Sequence, residues 1–170
     1  MDAYNWTSFK VRINIKATIA AVYEMWATSA GIEKWFLRHC EVTNDKDQAK
    51  AVDDFISKGD RFLWRWHGYP DDILQRGEVL EANGADQLSF TFGQEGAEDM
   101  ACIVKVYAED GENICEIIQH NIPENEKGKS YYHIGCITGW TFFLTNLKSI
   151  LEGGIDLRNK NERLQKMLNA

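Results

Sequence analysis

The chain has 170 residues, of which 44% are hydrophobic and 26% charged, and its formal net charge is −7. This length fits one domain, and this balance is typical of a globular protein and excludes an intrinsically disordered chain. The negative charge argues against nucleic-acid binding, and no apolar run approaches the roughly 20 residues of a membrane-spanning helix.

The first elements are a strand and two short helices. Residues 8–16 alternate strictly between apolar and polar side chains, which predicts a half-buried strand. Apolar residues at helical spacing follow over 19–26, with Thr18 as the N-cap. A break then leads into a second short helix, with Ser29 as its N-cap. Two short helices directly after the first strand are an unusual arrangement.

Strands and turns follow. Alternating segments predict about six strands, over 38–42, 61–67, 74–81, 87–93, 100–108 and 113–121. The residues Glu109-Asp110-Gly111-Glu112 predict a tight hairpin between the last two strands. Counting outward from that turn places Cys102 opposite Gln119 and Cys115 opposite Val106. The two sulfurs are then too far apart for a disulfide.

A long C-terminal helix comes last. After Pro123 the apolar residues recur at helical spacing over about twenty residues, until Gly153-Gly154 ends the pattern. Residues 161–168 predict one more short helix. A long helix with a wide apolar stripe must be covered by a sheet, so we expect a curved antiparallel sheet wrapped around it, with a gap between them.

Several segments resemble one known family. The hairpin Gly77-Glu-Val-Leu-Glu-Ala with Gln87-Leu-Ser-Phe-Thr-Phe, the segment Ser57-Lys-Gly-Asp-Arg-Phe-Leu-Trp, and the pairs Ile122-Pro123 and Gly139-Trp140 are similar to the Aha-type family. This family is named for the activator of the heat-shock-protein ATPase. It belongs to the START-like, Bet-v-type helix-grip (SRPBCC) superfamily. The resemblance covers roughly residues 8–158.

The resemblance implies the same architecture as the element order. We therefore expect a single α+β helix-grip domain over residues 1–170, with six to seven strands around the C-terminal helix. The tail over 159–170 matches nothing in the family. Helix-grip proteins include lipid carriers, hormone receptors, cyclases and co-chaperone domains, so the fold alone does not imply one function.

An aromatic face predicts the candidate binding site. Rings from the sheet and from the long helix converge on the expected gap, with an amide and a thiol that also point inward; the candidate ligand-binding residues are Phe62, Trp64, Trp66, Phe90, Phe92, Cys115, Gln119, Trp140, Phe143 and Leu144. A filled core of the same residues is the alternative interpretation. Gln119 is the candidate polar group that orients a ligand.

Three functions remain open at this point. The first is non-enzymatic binding of a small hydrophobic molecule, lipid-like or aromatic. The second is a co-chaperone-like module that docks on a chaperone or another protein. The third is a cyclase- or aromatase-type enzyme, although no His or carboxylate is predicted to point inward.

Cofactors and metals are not expected. The sequence has no dinucleotide-binding or P-loop motif, no readable catalytic triad and no Cys-x-x-Cys pair, so no catalytic or metal-ligating residue is assigned. The four cysteines are interpreted as free thiols. The acidic, polar N-terminus is unlike a signal peptide and favours the cytoplasm. A monomer and a homodimer are both compatible with the sequence.

Overall fold

The computed structural model describes residues 4–164 and 167–169, and within them seven strands form one antiparallel sheet. The strands are β1 (Phe9–Asn14), β2 (His39–Thr43), β3 (Arg61–Arg65), β4 (Gln75–Ala82), β5 (Gln87–Thr91), β6 (Ala101–Glu109) and β7 (Glu112–His120). The helices are α1 (Ile19–Ala27), α2 (Ser29–Trp35) and α3 (Cys136–Leu151), with a π-helical segment (Gly128–Gly135) before α3. The predicted helix-grip architecture is confirmed.

The sheet order is β1-β7-β6-β5-β4-β3-β2, so the first strand of the chain pairs with the last. The helices α1 and α2 carry the chain from β1 at one edge to β2 at the other. One face of the sheet is covered by α3, whose Leu144 and Leu147 are fully buried. A functional cavity therefore has to lie between α3 and the inner face of this sheet, or at one end of that layer.

The N-cap of α1 is as predicted, whereas the predicted N-cap of α2 is wrong. Thr18 accepts a hydrogen bond from the amide of Ala21 at 3.2 Å. In α2 the N-cap is Thr28, not Ser29: its Oγ1 accepts from the amide of Gly31 at 2.9 Å and donates to the carbonyl of Glu24. One hydroxyl thus joins the end of α1 to the start of α2. A Cβ at Gly31 would lie 2.4 Å from that same carbonyl, so the close turn requires glycine.

The β6–β7 hairpin has the predicted register. Asp110 and Gly111 both have positive φ, as a type I′ turn requires. Cys102 pairs with Gln119, and Val106 pairs with Cys115. All four cysteines are free.

The C-terminal helix differs from the prediction at its start. The apolar spacing predicted a regular helix, but helical structure begins at Glu126 and is π-helical over Gly128–Gly135. Gly128 lies so close to Pro123 that an added Cβ would overlap its carbonyl oxygen. Apolar spacing does not distinguish a short π segment from an α-helix, which is why the pattern missed it.

The tail folds back across the domain. Arg158 is buried, and its guanidinium donates to the backbone carbonyls of Glu33, Lys34 and Leu37 and to the carboxylate of Asp156. The helix predicted over 161–168 is wrong for the described residues, which form turns and bends, and residues 165 and 166 lie outside them. Asn161 accepts from the amide of Arg163, a local turn that competes with helix formation.

Candidate functional site

A cavity of about 430 Å³ lies at one end of the layer between the sheet and the C-terminal helix. The sheet side contributes Trp66, residues of the β3–β4 loop, and Phe92 just after β5. The helical side contributes the π-helical segment and the first two turns of α3. Met167 and Leu168 of the tail complete the lining. The volume is within the range of small-molecule sites.

The structure brings three of the ten sequence-predicted site residues to this cavity: Trp66, Phe92 and Phe143. They are half-buried or buried against the core cluster. Rings from the sheet and from α3 therefore face one another across the cavity. Such walls suit a flat apolar ligand, because ring stacking adds to the burial of apolar surface.

Six of the remaining seven are packed side chains of the core behind the cavity: Phe62, Trp64, Phe90, Cys115, Trp140 and Leu144. Their aromatic rings are in contact. Phe62 stacks on Trp64 with centroids 4.1 Å apart, and Trp140 lies 5.3 Å from Phe92. None of the six lines the cavity; they belong to the packed core beside it.

The seventh, Gln119, is fully buried and engaged by protein groups. Its Oε1 accepts a hydrogen bond from Trp140 Nε1 at 2.9 Å, and its Nε2 lies 3.1 Å from Met100 Sδ. Cys102 Sγ also points at the same oxygen, at 3.8 Å. Gln119 therefore holds the Trp140 indole in place.

Several lining residues were not identified from the sequence. Tyr69 and Ile73 come from the β3–β4 loop, and Tyr131 and Tyr132 come from the π-helical segment. Tyr132 belongs to the predicted apolar stripe of the helix, but nothing in the spacing indicated a cavity beside it. Loop residues carry no periodic signal, so Tyr69 and Ile73 could not have been found in this way.

Two indole groups of the core face cysteine sulfurs. Trp26 Nε1 and Trp64 Nε1 are buried without a conventional hydrogen-bond partner in the described part of the chain. Burial raises the pKa of Cys115 and of Cys40 to about 12, and the nearby Trp26 and Trp64 N–H groups partly oppose those shifts. The thiols are therefore protonated, weakly reactive groups that pack against the indoles.

The outer face of the sheet has one departure from expectation. Strand alternation puts Glu116 on the outer face of β7, opposite to Cys115 and Ile117, but the Glu116 side chain is buried. Lys10 and Arg12 lie 3.2 and 3.5 Å from its carboxylate, and the Tyr107 hydroxyl donates to it at 3.0 Å. This network lies on the opposite side of the sheet from the cavity.

The lining is largely apolar, with a few neutral polar side chains. Within residues 4–164 and 167–169, it contains neither a histidine nor a charged side chain. Cys136 is the one thiol of that described lining, and burial raises its pKa, although Gln119 opposes the shift. Over the same described residues, no cluster of three potential metal ligands occurs and no helix is long and apolar enough to cross a membrane.

The chain is similar to a known sequence family and to solved structures. A sequence profile described as "Activator of Hsp90 ATPase homolog 1-like protein" matches residues 16–152. A search of curated protein sequences gave no match.

Solved structures share the fold. The Aha1 protein of Colwellia psychrerythraea, solved in solution as a dimer, is 17% identical with a TM-score of 0.66, and the match covers 86% of this chain and 97% of that one. A Bacillus halodurans protein is 20% identical with a TM-score of 0.59, covering 85% and 99%. DynU16, described as a putative protein in the dynemicin biosynthetic locus, is 17% identical with a TM-score of 0.64; the match covers 91% of this chain and 50% of that one. At these identities the likeness shows the fold alone.

Proposed function

The chain belongs to the family of Activator of Hsp90 ATPase homolog 1-like proteins, and from that premise we propose that it binds a small hydrophobic molecule, lipid-like or aromatic, without catalysing a reaction on it. The observation that supports this proposal is the cavity of about 430 Å³ with Trp66, Phe92 and Phe143 in its walls. Burial of apolar ligand surface would supply the affinity, at about 25 cal/mol per Å².

The packing around the cavity favours a preformed site. Trp140 packs 5.3 Å from Phe92 and 5.0 Å from Phe36, and its indole N–H is held by Gln119. Side chains fixed in this way lose little conformational entropy when a ligand arrives. In this proposal the buried aromatic residues and Gln119 act by positioning the walls, and Trp66, Phe92 and Phe143 contact the ligand.

Native mass spectrometry of the purified protein is the direct test. We expect a small-molecule adduct that leaves on denaturation, or binding of added Nile red when the protein is purified empty. Trp66→Ala should weaken Nile red binding, whereas Trp6→Ala should not, because Trp6 is a half-buried tryptophan that packs on Tyr4 and His133 outside the cavity. Unchanged binding in a folded Trp66→Ala variant would contradict the proposal.

A second candidate is docking on a partner protein, in the manner of a chaperone ATPase activator. The exposed apolar side chains at the cavity mouth favour it: Tyr69, Ile73, Tyr131 and Leu168 are each about half exposed or more. The test is a pull-down with a purified Hsp90-type chaperone, with and without residues 159–170. Failure to recover the chaperone with either form would exclude this candidate.

The remaining proposals concern chemistry, assembly and compartment. A cyclase-type activity would have to rely on a tyrosine or on Cys136, since these are the titratable groups of the described lining. The Colwellia protein was solved as a dimer, so a homodimer is the assembly to test against the monomer. A cytoplasmic location is proposed because the four cysteines are free, which is typical of proteins in a reducing compartment.

A further inference from the structure

The polar side chains of the cavity differ in whether their hydrogen-bond donors are already engaged by protein acceptors. Ser130 and Thr138 donate their hydroxyl protons to backbone carbonyls one helical turn earlier, at 2.6 and 2.8 Å. Gln75 donates to two backbone carbonyls and accepts from the amide of Gln94. These groups are largely engaged by the protein itself, which leaves them little capacity to recognise a ligand.

Three tyrosines are in a different situation. Tyr69, Tyr131 and Tyr132 all line the cavity, and no hydrogen bond of their hydroxyls is made within the described part of the chain. Tyr132 is 3% exposed, so its hydroxyl is a buried donor without an acceptor among the described residues. Such a group is unfavourable unless something supplies the missing partner.

The surroundings of Tyr131 favour its neutral form. Desolvation, with contributions from Cys136, Tyr132 and Tyr69, raises the pKa of Tyr131. A tyrosine hydroxyl is protonated at neutral pH even with an ordinary pKa, and the raised pKa keeps Tyr131 a neutral donor. A phenol donor is complemented by a carbonyl or ether oxygen.

Negative charge on the ligand is disfavoured. The described lining has no cationic side chain, and the nearby Lys127 places its Nζ 5.5 Å from the Tyr132 ring centroid, over the ring and outside the lining. A carboxylate or phosphate in the cavity would lose its hydration without gaining an ion pair from the described lining residues, which is costly. The net charge of −7 also opposes anion binding.

We propose that the cavity takes an uncharged ring compound with at least one hydrogen-bond-accepting oxygen, of the ketone or quinone class. Its rings lie between Trp66, Phe92 and Phe143, and its oxygen accepts from the hydroxyl of Tyr131 or Tyr132. This inference rests on the proposed binding function and adds the chemical class of the ligand.

Three matched probes test it: fluorene, fluorenone and a fluorenone carboxylate, measured by tryptophan fluorescence or calorimetry. Fluorene tests apolar binding alone, and its affinity also reports whether each variant retains the cavity. The fluorenone carbonyl loses water on entering the cavity, so it improves affinity only if the protein supplies a donor. We expect fluorenone to bind about 3- to 10-fold more tightly than fluorene, as one neutral hydrogen bond allows.

Variants identify the donor. Tyr131→Phe and Tyr132→Phe are made singly and together. In at least the double variant, the ratio of the fluorenone affinity to the fluorene affinity should fall to about one. Tyr107→Phe is the matched control, because its hydroxyl donates to Glu116 on the opposite face of the sheet. It should leave the ratio unchanged.

The outcomes separate the two claims. Equal binding of fluorene and fluorenone, a ratio that persists in the double variant, or tighter binding of the carboxylate would overturn the inference and leave hydrophobic ligand binding in place. Failure of the wild-type protein to bind any of the three would overturn both.

Discussion

Replacing Gly139 by a larger residue would fill part of the cavity and test directly whether a ligand binds there. Gly139 lies in α3 and lines the cavity, and an added Cβ there meets no heavy atom of residues 4–164 and 167–169 within 4 Å. Gly139→Leu should therefore introduce an isobutyl group into open space. Gly139→Ala is the matched control, because it changes the backbone in the same way and fills almost nothing.

Both variants should be more stable than the wild type. Glycine in a helix interior costs about 0.8–1 kcal/mol relative to alanine, and leucine has nearly the propensity of alanine. The free energy of unfolding should rise by roughly that amount, which corresponds to about 2–4 °C in Tm for a protein of this size.

Ligand binding should separate the two variants. A ligand that shares the cavity with the introduced isobutyl group meets the cost of overpacking, about 1–3 kcal/mol, so Nile red should bind roughly 5- to 150-fold more weakly to Gly139→Leu and normally to Gly139→Ala. Thermal unfolding by circular dichroism and a fluorescence titration measure both effects. Wild-type affinity in a stable Gly139→Leu variant would show that the ligand binds elsewhere, and a loss of stability in Gly139→Leu alone would show that the space is not open.

Three other predictions concern stability and reactivity. Arg158→Met should lower the free energy of unfolding by about 3–5 kcal/mol in urea denaturation, because it leaves three backbone carbonyls without their donor and removes the guanidinium from Asp156, whereas Arg163→Met, at an exposed position, should be neutral. Partial burial raises the pKa of Asp156, but the hydrogen bonds from Arg158 and Lys160 outweigh it and lower the pKa well below its usual range. The contribution of Asp156 to the free energy of unfolding is therefore complete above about pH 4 and is lost as the pH falls further. Asp156→Asn should lower the free energy of unfolding at pH 7 and flatten its dependence on acid pH. An unchanged pH profile of stability in this variant would refute the assignment. Because burial raises the pKa of Cys40 and Cys115 to about 12, both thiols should react with a disulfide reagent at pH 8 only on unfolding, and rapid labelling of the native protein at either position would contradict their burial.

Strand pairing shows how far the sequence can be interpreted. The hairpin at Asp110-Gly111 determines the pairing of Cys102 with Gln119 because a two-residue turn leaves one register, and alternation then decides which side chains face inward. The wide apolar stripe after Pro123 determines a long helix that needs a sheet to cover it. These features depend on neighbouring residues alone, so they could be predicted.

The candidate site could not be located in this way. Alternation correctly placed Phe62, Trp64 and Phe90 on the inner face. Whether an inward ring lines a cavity or fills the core depends on what packs opposite, and here Trp26 packs near Phe90 and Phe36 packs on Trp64. The cavity instead forms where the β3–β4 loop, the π-helical segment and the tail meet, and segments so distant in sequence leave no shared periodic signal. Local sterics and hydrophobic spacing determine the helices and strands and which of their faces point inward. The position of the cavity depends instead on long-range packing between those elements, and so does the Tyr132 hydroxyl, which has no partner among the described residues.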